Sequence, residues 1–164
     1  MHARRRLLLA GAALALGARA GAQPAGGEEH LQPVDDLRAL LAQVRQRRAP
    51  LLVLFSTPGC PYCLEVRRNY LAPRVAEQAA LRTPTLLIRE VDITSRAAVV
   101  DPQGRPITQA EFASRFGVRV VPVVAMFDER LQLLGDPLVG IDRSGFYDAY
   151  LDRAIESAQR RLRS

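Results

Sequence analysis

The segment that most constrains the fold is Leu51-Leu52-Val53-Leu54-Phe55, an unbroken apolar run preceded by Pro50 and followed by Ser56-Thr57-Pro58-Gly59. A strand without polar alternation must be covered on both faces, so this run predicts the centre of a sheet sandwiched between helices. At 164 residues and 48% hydrophobic composition, the chain has material for one such core.

Just beyond the run stand Cys60 and Cys63, the two cysteines of the chain. Two cysteines three positions apart exclude a disulfide framework. A bridge closing so short a loop would also constrain the unfolded chain little. Structural zinc needs about four ligands, and after residue 22 the sequence adds only His30 to these thiols. No metal and no bound cofactor is therefore expected. None of the 23 basic residues is lysine, which excludes Schiff-base chemistry.

Pro61 is tolerated in a first helical turn, so residues 62–80 read as a helix with a kink at Pro73. Cys60 then sits at the start of a helix that follows a buried strand, where unpaired amides and the helix dipole favour thiolate over thiol. This predicts Cys60 as a nucleophile with a pKa below that of free cysteine. Cys63, one turn further on and less exposed, is placed to resolve a mixed disulfide. Tyr62 would stand beside the nucleophile, packing on a substrate or shielding the disulfide.

The other elements follow from pattern. Asp35 or Asp36 can cap a helix whose Leu37, Leu40, Leu41 and Val44 share one face, ending at Ala49-Pro50. Residues 85–93 form a second strand candidate, followed by a turn-rich loop through Asp101-Pro102-Gln103-Gly104. Thr108 with Glu111 forms a capping box for a helix that Gly117 closes. Extended segments are expected at 120–127, 131–134 and 138–141, then a last helix capped by Ser144 with Phe146, Tyr150, Leu151 and Ile155 inward. This order implies an α/β fold with a mixed central sheet flanked by helices on both faces.

The N-terminus, Met1-His2-Ala3-Arg4-Arg5-Arg6 followed by the apolar residues 7–16, has the charged and hydrophobic regions of a cleavable export signal, with Ala20 and Ala22 suiting cleavage after residue 22. The apolar stretch is short of the ~20 residues needed to span a bilayer, so stable membrane insertion is not expected. The three arginines fit a twin-arginine route as well as the general secretory one, and either implies a periplasmic protein. Removing 1–22 takes away Arg4, Arg5, Arg6 and Arg19, lowering the formal charge from +6 to +2, too weak a bias for nucleic-acid binding. The chain thus divides into an export signal (1–22), a Gly- and Pro-containing flexible tail (23–34) and one domain (35–164).

Cys60-Pro61-Tyr62-Cys63 after the buried run, Phe116-Gly117-Val118-Arg119-Val120-Val121-Pro122, and Leu138-Val139-Gly140 before the last helix together resemble the thioredoxin superfamily across nearly the whole domain. The stretch from Phe55 to Cys63 is most similar to periplasmic thioredoxin-related proteins of sulfur-oxidation or cytochrome-maturation systems. The resemblance implies a thioredoxin-like fold and a cis peptide before Pro122, with Val121 and Pro122 binding substrate as an added strand beside the cysteines. Cys-Pro-Tyr-Cys also occurs in glutaredoxins, but no glutathione-binding set accompanies it. Thr57 matches one position of a peroxiredoxin motif that expects proline where Val53 stands.

One departure bears on mechanism. Many thioredoxins carry a buried Asp six positions before the first cysteine, where it assists proton transfer to the resolving thiol; here that residue is Leu54. Glu65 is a replacement candidate by proximity in sequence, although Glu65, Arg67 and Arg68 read as a solvated helix face. The expected function is an exported thiol–disulfide oxidoreductase acting on protein disulfide or dithiol substrates, in the reductase direction that the resemblance implies, with a membrane electron transporter re-reducing the pair. A periplasmic disulfide oxidase is the alternative, although residues 93–106 are too short and turn-rich for the helical insertion of such oxidases. A further alternative is a non-catalytic peptide-binding or chaperone module using the Val121-Pro122 groove.

Overall fold

A computed structural model describes residues 31–163 of the chain. The elements are α1 (Leu37–Arg47), β1 (Leu51–Ser56), α2 (Pro61–Glu65), a π-helical segment (Val66–Leu71), α3 (Ala72–Ala80), β2 (Leu87–Asp92), β3 (Ala98–Val100), β4 (Pro106–Thr108), α4 (Gln109–Arg115), β5 (Val123–Phe127), β6 (Leu138–Val139) and α5 (Tyr147–Arg161). The sheet order is β2-β1-β5-β6, with β2 parallel to β1 and the other pairs antiparallel.

Every residue of β1 is buried, and alternation sends its side chains to two cores. Leu51, Val53 and Phe55 join Val123, Ala125 and Phe127 of β5 beneath Leu37, Leu40 and Val44 of α1 and Phe112 of α4. Leu52 and Leu54 face the opposite way, with Ile88, Val124 and Met126, against Val66 and Leu71 of the cysteine-bearing helix and Leu151 of α5. The mixed sheet with helices on both faces is thus the observed architecture.

Local chemistry sets the element ends. Asp36 caps α1 by accepting from the Ala39 amide at 3.1 Å. Thr108 and Glu111 form the reciprocal capping box. The expected bend at Pro73 takes the form of a widened turn, in which the Ala72 amide donates to the Arg67 carbonyl five residues back. Proline cannot donate and its ring crowds the preceding turn, and a π turn relieves both.

Four expectations are corrected. The tail does not extend to residue 34: Leu31 and Val34 are buried, and residues 32–34 run beside β2, with the Val34 amide donating to the Glu90 carbonyl at 3.0 Å and the Glu90 amide donating to that of Gln32 at 2.9 Å. Leu31 and Val34 stand three positions apart with Gln32 and Pro33 between them, a spacing that lacks the alternation by which a strand is read. The turn at Asp101 joins β3 and β4 into a separate hairpin. Ser144 does not cap α5; it lies in a turn where Asp142 accepts from the Ser144 and Phe146 amides, both at 2.9 Å. Leu151 is buried as expected, but Phe146 and Tyr150 are exposed, and Tyr147 fills the core in their place. The export signal and His30 lie outside the described residues.

Candidate active site

Cys60 and Cys63 are joined as a disulfide where β1 passes into α2. Gly59, at φ +74°, makes the reversal between strand and helix, a conformation disfavoured for side chains with a Cβ. Pro61 takes the first helical position, where the missing amide proton would have no helical partner. Cys60 is the N-cap residue, and its Sγ accepts from the Cys63 amide at 3.1 Å. The atom that must carry negative charge in the reduced protein therefore already occupies the hydrogen-bonding position of a capping group. Cys60 is partly exposed and Cys63 is fully buried.

The Val121-Pro122 peptide is cis. Val123 stands in register with Phe55, so Pro122 lies opposite the end of β1 that leads to Cys60. Gly140 donates to the Pro122 carbonyl at 2.8 Å, and Val139 pairs with Val123. The chain beyond Gly140 returns towards the dithiol, where the Arg143 guanidinium lies 5.9 Å from the centroid of the Tyr62 ring. Tyr62, Val120, Val139 and Phe146 are exposed apolar side chains on these three converging segments. Tyr62 adjoins the dithiol in sequence, and Val120 adjoins the segment that carries the cis peptide.

On the other side of Cys60 a cleft of about 670 Å³ extends beneath the start of the helix. Its lining includes Thr57, Leu64, Asp92 and Gln109, together with Ser56, Arg67 and Glu90. The last three form a buried polar cluster. Ser56 Oγ donates to Glu90 Oε1 at 2.6 Å, and Arg67 Nε donates to Glu90 Oε2 at 3.1 Å while its Nη2 donates to Oε1. The Arg67 and Glu90 side chains are only 10% and 11% exposed. Burial would penalise either charge alone; the two-pronged contact and the serine hydroxyl satisfy the carboxylate from three directions.

This cluster was missed in the sequence, and the reading of Arg67 as solvated is wrong. Arg67 lies on the same helical stripe as Cys63, Val66 and Tyr70, at the i, i+3, i+4, i+7 spacing of a buried face. Glu90 shares the strand face of Leu86 and Ile88. An arginine on an apolar helix stripe and a glutamate at an inward strand position were the available signals. Glu65, by contrast, is exposed. Among the described residues no group of His, Cys, Asp and Glu is placed to hold a metal ion.

Residues 37–154 match the family model of a thioredoxin-like domain. No curated protein sequence matches the chain significantly. Among solved structures, a mutant thioredoxin from Halobacterium salinarum NRC-1 superimposes with a TM-score of 0.50 at 18% identity, covering 81% of this chain and 94% of that one. A poplar thioredoxin h mutant gives a TM-score of 0.51 at 14% identity, covering 77% and 82%. A CxxC disulfide between Cys60 and Cys63, seated on a strand-to-helix junction within this fold, is consistent with thiol–disulfide oxidoreductase activity, and the chain belongs to the thioredoxin-like domain family.

Proposed function

We infer that the protein is an exported reductase of protein disulfides. The observation that carries the exchange cycle is the asymmetry of the pair: Cys60 is partly exposed at the helix cap, and Cys63 is buried one turn behind it. In the cycle the Cys60 thiolate attacks a substrate disulfide and displaces one substrate thiolate. Cys63 then attacks the mixed disulfide, releasing the second substrate thiolate and leaving the Cys60–Cys63 disulfide. Two electrons pass to the substrate in each turn. Extended peptide is held against Tyr62, Val121 and Pro122.

Export rests on the sequence of residues 1–22, by a twin-arginine or general secretory route, and a periplasmic location follows from it. Regeneration then requires a membrane electron transporter, because the cytoplasmic reducing systems are out of reach. The reductase direction is supported by the short β3–β4 hairpin that occupies the stretch between β2 and α4, where oxidases of this fold carry a helical insertion.

Insulin-disulfide reduction by the reduced protein tests the cycle: Cys60→Ser should abolish it, and Cys63→Ser should accumulate a mixed disulfide on Cys60. Activity surviving in Cys60→Ser would overturn the mechanism. Acid trapping followed by alkylation in cells tests the direction. A mostly reduced pair is expected, whereas a mostly oxidised pair would indicate a disulfide oxidase.

A further inference from the structure

The cleft beside Cys60 has a feature that thiol–disulfide exchange itself does not require, a buried and charge-balanced Arg67–Glu90 pair. Arg67 follows Cys63 by four residues on the same helix, and Glu90 approaches from β2 beneath that helix. Both share the cleft with Cys60. We propose that Arg67 and Glu90 are positioning residues whose mutual neutralisation sets how readily the Cys60/Cys63 pair ionises and how strongly it holds electrons. This deepens the exchange reading above and rests on it.

The physical basis is the sign of the charge left when one partner is removed. The Arg67 and Glu90 side chains are almost wholly buried, so a charge left unpaired there is screened less than one on the surface. An uncompensated guanidinium favours the Cys60 thiolate, and an uncompensated carboxylate opposes it. Stabilising the thiolate stabilises the reduced protein and makes the pair more oxidising. Among the described residues, the other ionisable groups at the site are Asp92 on β2, Tyr62 beside the nucleophile and Arg143 over the Tyr62 ring. Asp92 already accepts from the Thr94 amide and hydroxyl, at 2.8 and 2.7 Å.

The experiment equilibrates the full-length mature protein with glutathione, in which protein disulfide and two glutathione thiols give protein dithiol and one glutathione disulfide. The thiolate is titrated in parallel by its ultraviolet absorbance. Glu90→Gln keeps an acceptor for Arg67 but removes the negative charge; it should raise the equilibrium constant towards the dithiol at least tenfold and move thiolate formation to lower pH. Arg67→Met should move both quantities the opposite way. Arg67→Lys, which keeps the charge, and the double replacement Arg67→Met with Glu90→Gln, which removes both, should each stay within threefold of wild type.

Single variants that leave the equilibrium within threefold, or that both shift it in the same direction, would overturn the proposal. Should a single variant fail to fold, the unmodified protein still decides the matter. The carbon resonances of the Glu90 carboxyl and the Arg67 guanidinium should move with the midpoint of Cys60 ionisation, and their indifference to that titration would overturn the proposal. These readouts separate it from the exchange reading, which fails only if Cys60→Ser remains active.

Discussion

Leu54 and Glu90 stand in register across the β1–β2 ladder, and both side chains turn towards the helix that carries the dithiol. The sheet face beneath that helix is thus acidic on β2 and apolar on β1. The carboxylate has its own cation, Arg67, and its own hydroxyl donor, Ser56.

Placing an acid on β1 should therefore be harmful. Leu54 is fully buried, and Leu54→Asp would lose its packing and set a second carboxylate beside Glu90, whose cation is already engaged. A loss of more than about 3 kcal/mol is expected, from the cost of truncating a core leucine together with an unpaired charge. Urea denaturation of the oxidised protein measures it; a stability within 1 kcal/mol of wild type would contradict this account of the face, on the ~1 kcal/mol scale of a typical point substitution.

Ser56→Ala removes one donor from the Glu90 carboxylate and leaves both charges in place. The expected loss is about 1.5–3 kcal/mol, the range for a hydrogen bond to a charged group. The glutathione equilibrium should remain within threefold of wild type, since no charge has changed.

Tyr147 offers a change in the opposite direction. Its hydroxyl is buried without a hydrogen-bond partner among the described residues, and burial, followed by the proximity of Tyr70, pushes the phenol up to about 12. Tyr147→Phe should be neutral or stabilising by up to about 1 kcal/mol at pH 7, because it deletes an unsatisfied group. The raised folded pKa means that the unfolded chain loses this proton first, so wild-type stability falls as pH rises from 10 towards 12. The phenylalanine variant should lose less stability over that window, as read by thermal melts at successive pH values.

Asp101 should matter at the acid end. Burial alone would raise its carboxyl, but the Arg105 amide and guanidinium and the Gln103 amide more than offset this, and the net shift is downward. A lowered folded pKa contributes stability above the ordinary carboxylate value of 3.8, and that stability is lost as pH falls through the lower folded value. Asp101→Asn should destabilise the protein at neutral pH and flatten its acid unfolding below pH 3.8, measured by denaturant titration at each pH.

The central strand and the cysteine helix were legible because their signals are local. Five apolar residues between Pro50 and Ser56 allow little other than a buried strand, and Pro61 after Cys60 fixes a helix start. The β3–β4 hairpin was not legible, because its strands are three residues long and Pro106 begins the second. The Arg67–Glu90 pair was hidden for another reason. Each residue alone looks solvent-facing, and only the register of β2 beneath the helix shows that one neutralises the other.

The strip at residues 32–34 has a consequence for self-association. β2 is the outermost strand on its side of the sheet, and open edges recruit strands from other molecules. Here the outward amide and carbonyl of Glu90 are already bonded to the protein's own backbone, and Pro33 lacks an amide proton with which to extend the pairing. Intermolecular sheet growth is thereby blocked at the strand that supplies the cleft's carboxylate, so aggregation would not have to compete with the redox site for the same backbone.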